Sequence, residues 1–249
     1  MSRYIFTGLI NGMSWPYAKL CDWQIINLKN IYDYSKACNA TLEVMTKDRV
    51  SESCNLFKEF AGMDDWACST MTSWQSVLYA ARHFNDDDEI LWIDLDLVPN
   101  TIQDWPGPPN FINFSVHPVD NHGFTGYDKG KVDFFNNVVN KGQNDIFKKV
   151  KSCIFMFTGK KCREIEKYFF DDRLFHISDI RKWIDEGNAS PNDEHFFEAY
   201  MSLGDSEDIH DQYLYSDVID GRYDTNAPFV HFGSNTKNLI LDFKEWKRN

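Results

Sequence analysis

The stretch DDDEILWIDLDLVPN, residues 86–100, decides how the rest of the chain is read. Its acidic opening runs into Ile90, Leu91, Trp92 and Ile93, and the apolar run ends in Asp94 and Asp96, separated only by Leu95. A short continuous apolar run bounded by polar residues predicts a strand buried on both faces. Two carboxylates at the tip of such a strand repel each other and lose hydration, a heavy cost unless a partner compensates. A cation is the usual partner. Ligands of open α/β sheets sit outside the carboxyl ends of strands, so this pair stands where a site belongs.

The flanking sequence predicts the layers around that strand. Residues 3–10 (RYIFTGLI) read as a first strand and 41–45 (TLEVM) as a second. Between them, 22–37 reads as a helix with Ile25, Leu28, Tyr32 and Ser35 on one face. Strand, helix, strand is a βαβ unit, and such units build parallel sheets. Residues 73–84 predict a helix with Trp74, Val77, Leu78, Ala81 and Phe84 in one stripe and Ser73 as N-cap. Further strands are expected at 111–116 and 153–158, with helices near 161–170 and 190–202. The last helix buries Phe196, Phe197, Tyr200 and Met201, and 227–238 is a short strand breaking into a turn. Residues 100–110 form a Pro-rich turn, and 117–131 a long polar loop. This order predicts an α/β chain, one domain over 1–249, with a mostly parallel central sheet flanked by helices.

Bulk properties narrow the function classes. The 249 residues are enough for a sizeable core, and 16% aromatic content argues against disorder. Net charge is −12 without a basic cluster, which disfavours nucleic acid as a partner. Six cysteines without CxxC spacing read as free thiols in a reducing compartment, with no zinc site. The start, MSRYIFTGLINGMSW, carries no leader pattern, and nowhere do about 18 apolar residues run together, so no membrane span is expected. The expectation is a soluble, cytoplasmic protein. The missing anchor suits a bacterial, phage or large-virus source.

Three readings of the aspartates compete. They can cap a solvated turn. ILWIDLDLV also resembles the first motif of haloacid dehalogenase-like phosphatases, which would make Asp94 a nucleophile and Asp96 an acid. Here a complete βαβ unit precedes the motif, and GDSEDIH (204–210) puts Ile209 and His210 where that family's later motif requires an acid. In the third reading the pair holds a divalent cation that bridges the phosphates of a sugar nucleotide. An oxygen-rich site suits Mn²⁺ or Mg²⁺.

The helix, the strand and DLD resemble the GT-A glycosyltransferases, in the branch that includes glycogenin and bacterial lipopolysaccharide galactosyltransferases. That branch ends in His-Phe-x-Gly-x-x-Lys, and this chain carries HFGSNTK, with His231 and Lys237 at the same separation and Gly233 one place early. The resemblance implies a GT-A, Rossmann-like domain with a nucleotide-binding half over 1–100 and an acceptor-side half over 101–249. Asp94, Asp96 and His231 would hold the metal, with Leu95 beside the donor. Lys237 and the Gly233–Ser234 backbone would contact the diphosphate. Thr7 and Gly8 would line the nucleoside pocket, with Trp15 or Tyr17 stacking on the base. Arg82 is the nearest match to the family's basic residue on the helix before DxD.

PNDEHFF resembles the segment whose acid faces sugar and acceptor, which makes Asp193 and Glu194 the candidates for sugar binding or for a base; a helix cap explains them equally. Lys151 and Cys153 stand where the family has Asn and Gly. The implied activity is transfer from a nucleotide-sugar donor, a UDP-sugar, to a glycan or other hydroxyl acceptor, with retention favoured. A non-catalytic module that binds a nucleotide or glycan is the alternative from another class.

Overall fold

Strand pairing sets residues 89–93 between the first strand and a long strand from the middle of the chain. The computed structural model describes residues 1–8, 21–119, 124, 126–170, 176–204, 206–233 and 236–242. Arg3–Gly8 (β1) pairs in parallel with Thr41–Met45 (β2) and with Glu89–Ile93 (β3). Asp22–Ala37 forms helix α1 between β1 and β2. Lys47–Leu56 (α2), Asp65–Ser69 (α3) and Thr72–His83 (α4) lead into β3, with a π-helical turn at Phe57–Ala61. Leu97–Pro99 (β4) and Phe111–Pro118 (β5) follow, then Gly126–Phe134 (α5), a π-helical turn at Phe135–Asn140, and the long strand Ile146–Thr158 (β6). Gly159–Phe170 (α6), Ile177–Asp185 (α7) and Asp193–Leu203 (α8) precede three short strands, His210–Asp211 (β7), Tyr215–Asp217 (β8) and Phe229–His231 (β9). A 3₁₀ turn spans Lys237–Asp242.

The main sheet has the order β2-β1-β3-β6-β5-β7, and only β6 runs against the others. It is mostly parallel, as the βαβ reading predicts. A smaller sheet, β4-β9-β8, lies at the end of β3. The run ILWI is buried on both faces because its side chains alternate. Ile90 and Trp92 join an apolar cluster with Phe6, Trp74, Phe155 and Phe196, while Leu91 and Ile93 join one with Ile5, Ile154, Met156 and Tyr34.

Several local expectations change. In α1, Ile25 and Tyr32 point to solvent, and Gln24, Asn27, Asn30, Ile31 and Tyr34 take the buried face with Ser35. The polar residues win that face because backbone carbonyls wait there: Asn27 Nδ2 donates to Leu95 O (2.7 Å) and Leu97 O (3.0 Å), and the Tyr34 hydroxyl donates to Asp104 O (2.9 Å). Ser73 lies inside the first turn of α4 rather than capping it, and its hydroxyl serves Asp193 instead. Residues 126–131, expected as loop, begin α5. β6 starts seven residues before the predicted strand because 146–151 also pairs with β5, and Phe147, Val150 and Ser152 are buried among the lysines. The buried face of α8 is the predicted one, with Phe196, Phe197, Tyr200 and Met201 all in the core.

Candidate active site at the carboxyl end of the third strand

The chain turns sharply where β3 ends. The Asp94 amide donates to Cys153 O (2.9 Å), holding the first carboxylate to β6, and Leu97 N closes the turn onto Asp94 O (2.9 Å). The two Asn27 bonds clamp the same turn from α1. β4 then pairs antiparallel with β9 so that Leu97 faces His231, and Phe232 N donates to Asp96 O (2.9 Å). This pairing brings together residues 137 positions apart (231 − 94). A cavity of about 390 Å³ opens here, lined by Asp94, Asp96, Asp193, Glu194, His231 and Lys237 among others.

Charge dominates the cavity. Burial, then the charges of Asp96 and Asp193, push Asp94 well above the usual carboxylate range, although Trp92 Nε1 donates to its Oδ1 at 2.6 Å. Burial pushes Asp96 the same way, but His231 and the Lys237 ammonium, 2.8 Å from Oδ2, outweigh it and leave its pKa below the ordinary value. His231 is pulled down by burial, yet Asp217 (2.6 Å from Nδ1) and Asp96 (3.6 Å from Nε2) raise it to about 10. Lys237 Nζ also lies 5.4 Å from the ring centre of Trp23.

Across the cavity, α8 begins. Asp193 Oδ2 accepts hydrogen bonds from Ser73 and from Ser152 Oγ (3.0 Å), and its Oδ1 accepts from Glu194 N (2.9 Å). Burial and the neighbouring Glu194 charge raise Asp193 to about 6. Glu194 is held by Lys131 and by the Tyr127 hydroxyl (3.4 Å).

Most candidate residues from the sequence meet here, and some stand elsewhere. Gly8 and Leu95 line the cavity. Thr7 lies behind it, fully buried, its Oγ1 without a hydrogen-bond partner among the described residues. The Gly233 carbonyl accepts from Thr236 N (2.9 Å), and a Cβ added at Gly233 would meet open space. Ser234, Trp15 and Tyr17 fall outside the described residues. Arg82 does not join the site. It follows Ser73 by nine positions (82 − 73) on α4, a rise of about 13 Å, and its guanidinium pairs with Glu166 (2.6 Å) and Glu52 (2.8 Å). Asn27, Ser73, Ser152 and Asp217 are site residues that no motif marks, because each reaches its partner through a contact distant in sequence; Trp92 reaches Asp94 from two positions before it. Trp23, at the start of α1, is another.

Two carboxylates and an imidazole whose other nitrogen is tied to Asp217 form a donor set that fits a hard divalent cation. As the side chains lie, no three His, Cys, Asp or Glu among the described residues enclose an ion.

No protein-family model and no curated protein matches the chain by sequence. Solved structures do match it in fold. A glycosyltransferase involved in glycosylation of the major capsid of PBCV-1 aligns over 97% of this chain and 100% of its own, with TM-score 0.50 and 16% identity. Mouse xyloside xylosyltransferase 1 aligns over 94% of this chain and 98% of its own, with TM-score 0.51 and 11% identity. The galactosyltransferase LgtC, in complex with donor and acceptor sugar analogs, aligns over 98% of this chain and 91% of its own, with TM-score 0.50 and 12% identity. With its DLD turn at the end of β3 and this likeness over nearly its whole length, the chain has the fold of the GT-A glycosyltransferases.

Proposed function

We propose that this chain is a metal-dependent glycosyltransferase that moves a sugar from a nucleotide-sugar, a UDP-sugar, to a hydroxyl of a glycan acceptor with retention of configuration. The observation that carries the reading is the meeting of Asp94, Asp96, His231 and Lys237 opposite Asp193 and Glu194 in one cavity, in a fold shared with glycosyltransferases. Among the described residues, no helix is long and apolar enough to cross a membrane.

Asp94, Asp96 and His231 would hold Mn²⁺ or Mg²⁺. When bound, such an ion supplies Lewis-acid stabilisation of the charge on a leaving diphosphate. The chain's own residues do the rest. Asp217 takes the Nδ1 side of His231 and leaves Nε2 toward Asp96, which sets the ring's orientation. Lys237 supplies a second positive charge where a diphosphate would lie, and Trp23 offers an aromatic face beside it. Asp193 is immobilised by three hydrogen bonds and accepts from sugar hydroxyls. Retention is favoured by the His…Lys tail; inversion would instead need a base, and Asp193 near pH 6 would be the group suited to it.

Thermal unfolding with UDP, GDP, dTDP and UDP-sugars, each with and without Mn²⁺, tests the reading on the wild type and Asp96→Ala. A ligand at about 100 times its Kd stabilises by about 2.7 kcal/mol, a rise of a few degrees in Tm for a domain of this size. The expected shift occurs with one nucleotide and requires both Mn²⁺ and Asp96. No shift with any nucleotide overturns the proposal. Hydrolysis of p-nitrophenyl phosphate, lost in Asp94→Asn, would replace it with the phosphatase reading.

A further inference from the structure

Behind Glu194 lies a buried charge cluster with no place in the mechanism above. Lys131, on α5, has a side chain only 1% exposed, and its ammonium pairs with Glu194 and with Glu198 Oε1 (3.1 Å). Glu194 and Glu198 are four residues apart on α8, so the helix puts two like charges on one face. Lys131 enters between them from another helix. Glu198 Oε1 also accepts from Val150 N (3.2 Å), which fixes it to β6. The Tyr127 ring covers the ammonium at 4.8 Å, and Asn192 Nδ2 donates to the Tyr127 hydroxyl (2.6 Å).

A buried ion cluster is a poor way to gain stability, since apolar residues of similar volume do as well or better. Its geometry points to a different use. Both groups that bond Glu194 do so at Oε2; among the described residues Oε1 accepts no hydrogen bond, and Lys151 Nζ lies 4.0 Å from it. Burial disfavours charge on Lys131, but Glu198 and Glu194 outweigh it and keep the ammonium charged.

We infer that Lys131 is a positioning residue: anchored on Glu198, it holds Glu194 by Oε2 and presents Oε1 to the substrate in the cavity. This rests on the transferase reading, since the substrate in question is the sugar or acceptor hydroxyl that Glu194 meets.

The test compares wild type, Lys131→Arg, Lys131→Met and the double variant Lys131→Met/Glu198→Gln by steady-state transfer and by thermal unfolding. Lys131→Met alone strands buried carboxylate charge and is expected to lose stability. The double variant removes cation and anion together and is expected to stay within a few degrees of wild type. In that folded double variant, kcat falls by about 10- to 100-fold, the range a misplaced reacting group produces. KM for the nucleotide-sugar changes less than threefold, and Lys131→Arg recovers part of kcat. A folded double variant with wild-type kcat overturns the inference while leaving the transferase reading intact. A wild type that binds and transfers no sugar removes both.

Discussion

His231 and Asp217 meet at 2.6 Å through Nδ1 and Oδ1, and this contact decides which way the imidazole faces. Nε2 is left toward Asp96 at 3.6 Å. Asp217→Asn keeps the shape and one acceptor oxygen but removes the negative charge beside Nδ1. A carboxylate that orients a ligating imidazole in this way is worth about 10- to 100-fold in metal affinity. The expected outcome is that loss in Mn²⁺ affinity by calorimetry, with little change in Tm without metal. Unchanged affinity would show that the Asp217 contact does not set the metal affinity.

Asn27 secures the turn that carries both aspartates, through two hydrogen bonds from a fully buried amide. Asn27→Ala leaves the Leu95 and Leu97 carbonyls unpaired in the core. The expected cost is about 1–3 kcal/mol of stability, measured by urea unfolding, with weaker nucleotide binding because the turn loosens.

Arg82 is tied to Glu52 and Glu166 on the partly exposed side of α4. Exposed ion pairs contribute about 0–1 kcal/mol. Arg82→Met is therefore expected to change stability by less than about 1 kcal/mol and to leave nucleotide affinity at the wild-type value. A tenfold loss of affinity would return Arg82 to the donor site.

His195 titrates in a way that links stability to acid. Burial, then the charge of Lys131, lower it to about 3, and its Nδ1 accepts from Asn192 N at 3.2 Å. The unfolded chain takes up this proton near pH 6.5 and the native chain does not, so the unfolded state binds more protons between the two values. Stability contributed by this residue therefore falls as pH drops from about 6.5 toward 3. Gln at this position can make the same capping bond without titrating. Urea unfolding between pH 7 and 4.5 is expected to show a flatter acid decline in His195→Gln than in wild type.

Gly159 opens α6 against the turn that precedes β3. A Cβ there would lie 2.0 Å from the Asn85 carbonyl oxygen, a backbone atom that cannot swing away. Gly159→Ala is expected to cost about 1–3 kcal/mol, the range for overpacking, read as a lower Tm with nucleotide specificity unchanged.

What was legible from residues alone was local. ILWI followed by DLD announces a strand buried on both faces with carboxylates at its tip, because period-two alternation and the desolvation of paired charges act within ten residues. The buried stripe of α8 is legible for the same reason, at a period of 3.6. The buried face of α1 departs from its apolar pattern because hydrogen bonding outweighs hydrophobicity there: Asn27 is buried because two carbonyls of a turn near residue 96 need a donor, while Ile25 is left in solvent. The resemblance pairs His231 with the aspartates, but the contact itself depends on the register of β4 against β9. Asp217, Ser73 and Lys131 carry no motif, since their meaning lies wholly in partners 14, 120 and 63 positions away. Short-range periodicity is written along the chain and fixes which elements form. Which polar side chains meet is settled only by long-range packing, where each buried donor or charge must find its partner.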